Sequence, residues 1–231
     1  METVCRCTAI GDCAAYPMAK ERPVLIVFDL DGTIADSAEL ARVLFRRVFA
    51  LMGYGEISDE LADSFNGPSA DEVCRIMGIG PDRRPLYNQL IDEVETELVK
   101  TIGRMYPGMI EMLEALSRYA VLALLTNGAP VYCETCMNTF GLAPYISLHS
   151  GFASGVSKAQ RMLQWAGELD ARRIIVVGDR ATDIDNARLA GAYAVGVTYG
   201  MGSAEELSGA DVLCANACDV VRACMEVIRC C

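Results

Sequence analysis

The apolar residues of this chain change their spacing after one short run. Val24–Phe28 is an unbroken apolar run rich in β-branched residues, which is typical of a strand buried on both faces of a parallel sheet. After this strand and a polar loop, apolar positions repeat at helical spacing, with Leu40, Leu44 and Val48 on one face. We therefore expect residues 37–103 to form helices only.

Strands and helices alternate in the rest of the chain. A further short strand is expected near Ile146, and a short helix near 204–208. The longer apolar runs predict strands at Ala120–Leu125, Ile174–Val177, Ala194–Val197 and Val212–Cys214. This order is typical of an α/β fold built on a doubly wound parallel sheet, here with an inserted, all-helical segment.

The two patterns predict a division of the chain into parts. Residues 20–36 and 104–231 form the α/β core, and residues 37–103 form the helical insertion. Residues 1–19 show no apolar periodicity that could bury a face, so we expect this extension to be dispensable for folding.

Composition and charge exclude several classes of protein. With 52% hydrophobic and 22% charged residues, the 231-residue chain is expected to be globular rather than disordered. No apolar run reaches the roughly 20 residues of a membrane span. The net charge of −11 argues against a nucleic-acid polymer or an acidic membrane as partner. An anionic substrate would need local positive charge at its site.

The 11 cysteines do not follow the pattern of a secreted disulfide scaffold. Their number is odd, the chain is long, and no signal peptide is recognisable at its start. We interpret them as small apolar residues and terminal thiols in a reducing environment, which predicts a cytoplasmic protein.

The candidate chemistry lies where the predicted strands end. Parallel strands present their carboxyl ends at one edge of the sheet, where ligands bind in open α/β folds. Phosphoryl transfer needs a nucleophile, a metal, donors for the phosphoryl oxygens and an acid for the leaving group. Residues of these kinds follow the strands or open a nearby helix: Asp29, Asp31, Thr126, Asn127, Lys158, Asp179 and Asp183.

Four short motifs in this order and spacing resemble those of the haloacid dehalogenase superfamily, in its phosphoglycolate phosphatase-like branch. They are DLDGT at 29–33, TN at 126–127, Lys158 and GDRATD at 178–183. The resemblance covers residues 20–231. It implies a Rossmann-like core with a helical cap inserted after the first motif.

The resemblance also implies a role for each motif residue. Asp29 would be the nucleophile that forms an aspartyl-phosphate, and Asp31 would protonate the leaving group and then activate water. Mg²⁺ would be held by Asp29, the Asp31 carbonyl and Asp179, with Asp183 as a further ligand or directly behind the ligands. The phosphoryl group would be held by Thr126, the Asn127 backbone and Lys158.

The expected activity is hydrolysis of a small phosphorylated metabolite, similar to phosphoglycolate, a sugar phosphate or a nucleotide monophosphate. Dehalogenases of the superfamily lack the second aspartate of the first motif, whereas Asp31 is present here. A phosphomutase of the same fold stays open, although Leu40–Arg42 stands where those enzymes carry a histidine. A non-catalytic metabolite-binding protein stays open as well.

Substrate selection is expected to come from polar residues of the helical insertion. The candidates are Arg42, Arg46, Arg47, Asn66 and Arg75.

Overall fold

A computed structural model describes residues 22–66, 68–152 and 155–230, and shows one six-stranded sheet. The strands pair in parallel in the order β3-β2-β1-β4-β5-β6, which places β1 near the middle. In chain order they are β1 (Val24–Phe28), β2 (Val121–Leu125), β3 (Ile146–Ser150), β4 (Arg173–Gly178), β5 (Tyr193–Val197) and β6 (Val212–Cys214). The predicted doubly wound parallel sheet is confirmed.

Four helices lie between β1 and the rest of the core, and we call them the cap. They are α1 (Ala38–Leu51), α2 (Asp59–Asp63), α3 (Ala70–Ile76) and α4 (Arg84–Ile102). Helices α1 and α4 pack together, and aromatic rings fill the space between the cap helices, with Phe49 stacked on Tyr87 at 6.2 Å. The helical insertion predicted from the sequence is confirmed, and we retain 37–103 as its proposed limits.

The remaining helices cover both faces of the sheet. They are α5 (Met109–Ser117), α6 (Pro130–Thr139), α7 (Lys158–Glu168), α8 (Ala181–Leu189) and α9 (Ala217–Arg229). Because side chains alternate along β1, Ile26 and Phe28 join the core shared with α5, α6 and α9, whereas Leu25 and Val27 face α7 and α8. A strand buried on both faces explains the unbroken apolar run of its sequence.

Two adjacent connections join the cap to the core. The Asp36 amide donates to the Arg104 carbonyl at 3.0 Å, and Arg104 Nε donates to the Asp36 carboxylate at 2.8 Å. The Tyr106 amide donates to the Ile34 carbonyl at 3.0 Å. These bonds hold both crossings together next to the end of β1.

Two sequence-based expectations need correction. Residues 204–208 form turns instead of a short helix, because the helical bond from the Leu207 amide to the Ser203 carbonyl is followed by tighter turns, in which the Ser208 amide bonds to the Glu205 carbonyl and the Ala210 amide to the Leu207 carbonyl. Cys218 is disulfide-bonded, which the expectation of reduced thiols did not anticipate, while Cys230 is an exposed free thiol. Sequence spacing alone does not show which cysteines meet in space.

The extension 1–19 lies outside the described residues, so its predicted dispensability stays a prediction. Among the helices that the structure describes, none is both long enough and apolar enough to cross a lipid bilayer.

Candidate active site

The carboxyl ends of three neighbouring strands bring the predicted residues together. Asp29 follows β1, Thr126 follows β2 and Asp179 follows β4. All three side chains are buried, with Asp179 fully inaccessible to solvent. Buried polar groups must find partners within the protein, so their hydrogen bonds define the site.

Asp179 is held by the loops around it. Its Oδ2 accepts a hydrogen bond from the Met201 amide at 2.8 Å, and its Oδ1 accepts one from Thr33 Oγ1 at 3.3 Å. A Cβ atom on Gly32, where φ is +77°, would lie 2.1 Å from Asp179 Oδ2. The glycine of the first motif is therefore required both by its left-handed backbone and by the close approach of this carboxylate.

Lys158 links two of the carboxylates. Its Nζ donates to Asp29 Oδ1 at 2.6 Å and to Asp183 Oδ1 at 2.9 Å, with only 8% of its side chain exposed. The residue begins α7, where Ser157 and Gln160 form a capping box that fixes the start of the helix. A lysine in the first turn of a helix is mildly unfavourable, and these two carboxylates supply the compensating charge.

The site holds more negative than positive charge. Burial raises the pKa of Asp29 well above its usual range; Lys158 opposes this shift, and Asp183 and Asp31 add to it. Burial raises the pKa of Asp179 to about 6. Burial also disfavours the Lys158 ammonium, but Asp29 and Asp183 outweigh it and raise the pKa of the lysine. The surplus of buried carboxylates favours a bound cation.

Three of these carboxylates have the geometry of a metal site. One oxygen from each of Asp29, Asp179 and Asp183 lies within 4.8 Å of the others. Hard divalent cations such as Mg²⁺ bind oxygen ligands, and carboxylates are their preferred protein ligands. The donor set therefore fits the metal that the sequence predicts.

Asp31 lies beside this cluster, with both carboxylate oxygens bonded. Thr126 Oγ1 donates to its Oδ2 at 3.2 Å, and the Tyr132 hydroxyl donates to its Oδ1 at 2.5 Å. Thr126 Oγ1 in turn accepts from the Gly128 amide at 3.0 Å. The sequence analysis missed Tyr132, although its place in the first turn of α6, just after the Thr126–Asn127 motif, marked it as a neighbour.

A cavity of about 390 Å³ lies between the cap and the carboxyl edge of the sheet. Its core side is lined by Asp29, Asp31, Thr126, Asn127, Gly128, Tyr132, Lys158, Arg180, Thr182, Asp183, Met201 and Glu206. Its cap side is lined by Leu40, Ala41, Leu44, Phe45, Phe65, Asn66, Pro68 and Glu95, with Ser37 at the junction. The structure therefore brings the predicted residues of the core to one cavity, with Asp179 directly behind it.

Four of the five cap candidates lie elsewhere. Arg42 pairs with both oxygens of Asp63 at 2.9 and 2.8 Å, and Arg47 pairs with both oxygens of Glu97 at 2.8 and 2.9 Å. Arg46 forms an ion pair with Asp59 on the cap surface, and Arg75 forms one with Glu72. None of these four arginines lines the cavity, whereas Asn66 does.

The structure adds two charged residues that the sequence did not assign to the site. Arg180 donates from Nε to Glu206 at 2.8 Å and from Nη1 to the Asn66 carbonyl at 3.3 Å, so it joins the core to the cap. Glu95 reaches the cavity from α4. Its position next to Val94, at the border of the buried stripe of α4, was the only sequence signal for it.

Comparison with known proteins gives a consistent result. The profile of the haloacid dehalogenase-like hydrolase family matches residues 26–197. A phosphoglycolate phosphatase from Agrobacterium fabrum is 31% identical over 190 residues, which cover 76% of this chain and 81% of that protein. One from Vibrio cholerae is 29% identical over 202 residues, which cover 81% of this chain and 89% of that protein.

The fold has close counterparts among solved structures. A crystal structure of a predicted phosphoglycolate phosphatase from Haemophilus somnus superposes with a TM-score of 0.76 at 23% identity. The match covers 87% of this chain and 97% of the other. At this level of identity the match supports the fold.

Proposed function

This chain belongs to the haloacid dehalogenase-like hydrolase family and is a phosphatase, and from that premise we propose its chemistry. It is a Mg²⁺-dependent enzyme that hydrolyses a small phosphorylated metabolite through an aspartyl-phosphate on Asp29. The observation that carries the proposal is the position of Asp29 in the lining of the cavity, bonded to Lys158 at 2.6 Å and clustered with Asp179 and Asp183.

Asp29, Asp179 and Asp183 are the side chains that would hold Mg²⁺, with the Asp31 carbonyl as a further proposed ligand. When bound, the ion supplies the positive charge that lets an anionic nucleophile approach an anionic phosphoryl group. The added charge would oppose the effect of burial on the pKa of Asp29 and so would favour the ionised nucleophile.

In the first step, a carboxylate oxygen of Asp29 forms a bond to phosphorus as the bond to the leaving oxygen breaks. Asp31 gives its proton to that leaving oxygen, and the product alcohol departs. Tyr132 holds the Asp31 carboxyl group in place for this transfer through its bond to Oδ1, and the single hydrogen of the Thr126 hydroxyl turns from Asp31 Oδ2 to the phosphoryl group once substrate is bound. The result is a phosphoryl group on Asp29 and an ionised Asp31.

In the second step, the ionised Asp31 takes a proton from a water molecule, whose oxygen attacks phosphorus. The bond from phosphorus to Asp29 breaks, which releases inorganic phosphate and restores both aspartates to their starting states. Lys158 neutralises charge on the phosphoryl oxygens in both steps, and Thr126 and the Asn127 backbone supply donors. Positioning and electrostatics thus provide the catalysis.

The proposed substrate range is that of phosphoglycolate-like, sugar or nucleotide monophosphates, in the cytoplasm. Neither nucleic acid nor membrane is a proposed partner, because the net charge of −11 repels polyanionic surfaces. The cavity of about 390 Å³ has the size of a small-molecule site.

The proposal is tested with 4-nitrophenyl phosphate in the presence of Mg²⁺. We expect turnover that is lost in excess chelator and in Asp29→Asn, since an amide cannot replace the nucleophile. The matched control is Asp185→Asn, an exposed aspartate two residues after Asp183, which should retain wild-type turnover. Turnover that survives in Asp29→Asn would contradict the proposal. Binding without turnover would favour the metabolite-binding alternative, and transfer of phosphate within a sugar phosphate would favour the phosphomutase.

A further inference from the structure

The charged groups of the cavity are distributed unevenly between its two sides. The core side holds the proposed phosphoryl site, with Lys158 and Arg180 as its cations. The cap side is mostly apolar, and among its described residues Glu95 is the only charged side chain that lines the cavity. A substrate whose phosphoryl group lies at Asp29 extends its leaving group toward this side.

Neither cation on the core side is available to a distal anion. Lys158 bonds to Asp29 and Asp183, and Arg180 bonds to Glu206 at 2.8 Å. The cap arginines are held in surface ion pairs away from the cavity. A carboxylate on the leaving group would therefore face Glu95 with no compensating cation, an arrangement that like-charge repulsion disfavours when Glu95 is ionised, so the substrates are compared at alkaline pH.

Glu95 itself lacks a partner. Its carboxyl group makes no hydrogen bond or ion pair within the part of the chain that the structure describes. It lies close enough to Asp31 and Tyr132 to interact with both electrostatically. Burial raises the pKa of Glu95 well above its usual range, and Asp31 and Asp92 add to this. Glu95 is half-buried and its oxygens are open to the cavity, so a hydrogen-bond donor on a ligand can reach this carboxyl group and would offset its partial burial.

We infer that the site selects phosphate monoesters whose leaving group carries a hydroxyl or ammonium donor and no negative charge, and that Glu95 binds this donor. The inference rests on the proposed phosphatase function and narrows its substrate class. Leu44, Phe45 and Phe65 provide an apolar wall for the carbon atoms between the phosphoryl group and the donor. Within the substrate range proposed above, this favours uncharged or amino leaving groups over acids of the phosphoglycolate kind.

Matched alkyl phosphates that differ only at their far end test this inference. The series consists of ω-amino-, ω-hydroxy- and ω-carboxyalkyl phosphates of two to five carbons, the shortest acid being 2-phosphoglycolate. At the best chain length of each type, we expect kcat/KM for the amino or hydroxy compound to exceed that for the acid by roughly ten- to a hundredfold. Equal or faster hydrolysis of the acids would overturn the inference.

Variants of Glu95 assign the selectivity to this residue. Glu95→Gln should reduce the difference in kcat/KM between the amino compounds and the acids. Glu95→Lys should reverse the order, so that the acids have the higher kcat/KM. The matched controls are Glu93→Gln and Glu93→Lys, because Glu93 is exposed and lies two residues away in α4. Thermal melting establishes that the variants are folded. An unchanged order of kcat/KM in both folded Glu95 variants would overturn the role of Glu95.

Binding separates this inference from the proposed catalysis. Asp29→Asn cannot form the covalent intermediate, so calorimetry with this variant and Mg²⁺ measures affinity for the same series without hydrolysis. The order of affinities should match the order expected for kcat/KM. If wild-type protein hydrolyses neither the series nor 4-nitrophenyl phosphate, the proposed function fails, and the affinities still decide the ligand class. Tighter binding of the acids would overturn the inference, whatever the outcome for catalysis.

Discussion

Tyr132 donates its phenolic hydrogen to Oδ1 of Asp31 across 2.5 Å, which ties the proposed general acid to helix α6. The tyrosine is buried, with 3% of its surface exposed, so water does not compete for this bond. Helix α6 also packs against α4 of the cap. The orientation of Asp31 is therefore coupled to the contact between the cap and the core.

Tyr132→Phe should lower kcat while leaving the protein folded. A hydrogen bond to a charged acceptor contributes on the order of 1.5–3 kcal/mol, so we expect roughly a ten- to hundredfold loss of kcat with an alkyl phosphate. The loss should be smaller with 4-nitrophenyl phosphate, whose leaving group needs little protonation. Tyr119→Phe, at an exposed position, is the control. The same loss of kcat with both substrates would show that Tyr132 does not act through proton transfer to the leaving group.

Arg180→Ala should raise KM more than it lowers kcat. The guanidinium joins Glu206 of the core to the Asn66 carbonyl of the cap, so its removal weakens this contact across the cavity without touching the proposed nucleophile. Arg180→Lys should raise KM less than Arg180→Ala does but should not reach the wild-type value, because an ammonium lacks the forked geometry that reaches both partners. Steady-state kinetics of the two variants measures the changes in KM and in kcat separately. An effect confined to kcat would contradict the role assigned to Arg180.

Alanine substitutions of Arg42, Arg46 and Arg47 should change kcat/KM by no more than about twofold, as expected for surface positions. Their guanidinium groups pair with acidic residues on the cap surface and do not line the cavity. Asn66→Ala, from the cavity lining, is the positive comparison and should raise KM. A loss of substrate selectivity in any of the arginine variants would show that this surface reaches the substrate.

Stabilisation by Mg²⁺ should depend on pH through Asp179. Burial raises the pKa of this carboxyl group to about 6, above its ordinary value of 3.8. The metal-free protein thus loses stability from this group as pH rises from about 4 to about 6, because the carboxyl group then becomes charged in a buried position. Mg²⁺ binds the ionised form, so it should raise the melting temperature more at pH 7.5 than at pH 5.

Two variants check this assignment. Asp179→Asn should lose most of the stabilisation by Mg²⁺ at pH 7.5, whereas Asp185→Asn, at an exposed position, should keep it. Thermal melting with and without Mg²⁺ at both pH values provides the measurement. Equal stabilisation of the Asp179 variant and the wild type would exclude Asp179 as a ligand.

The sequence predicted the fold well because its signals were local. The run at Val24–Phe28 is apolar throughout since it is buried on both faces, and the helical spacing after it reflects a separate cap. Strand ends in a parallel sheet converge by topology, so Asp29, Thr126 and Asp179 could be expected to meet. Among the predicted helices and strands within the described residues, the short helix near 204–208 was wrong, in a stretch of successive turns.

The cap side of the site could not be predicted in the same way. Arginine is a reasonable candidate for binding a phosphorylated ligand, but Arg42 and Arg47 form ion pairs with acidic residues of neighbouring cap helices. Which face of α4 meets the core depends on long-range packing, and this placed Glu95 in the cavity. The sequence placed Tyr132 next to the Thr126–Asn127 motif, but its bond to Asp31 depends on the direction in which α6 leaves the sheet.

The account depends above all on covalent transfer to Asp29, and Asp31→Asn tests it most directly. An amide at position 31 cannot activate water, so the phosphorylated intermediate should accumulate with 4-nitrophenyl phosphate, whose release needs little acid catalysis. Rapid acid quench followed by peptide mass spectrometry should show a burst of nitrophenolate and one phosphoryl group on the peptide that contains Asp29. Release of nitrophenolate with no phosphoryl group on Asp29, or with one on a different residue, would contradict the mechanism.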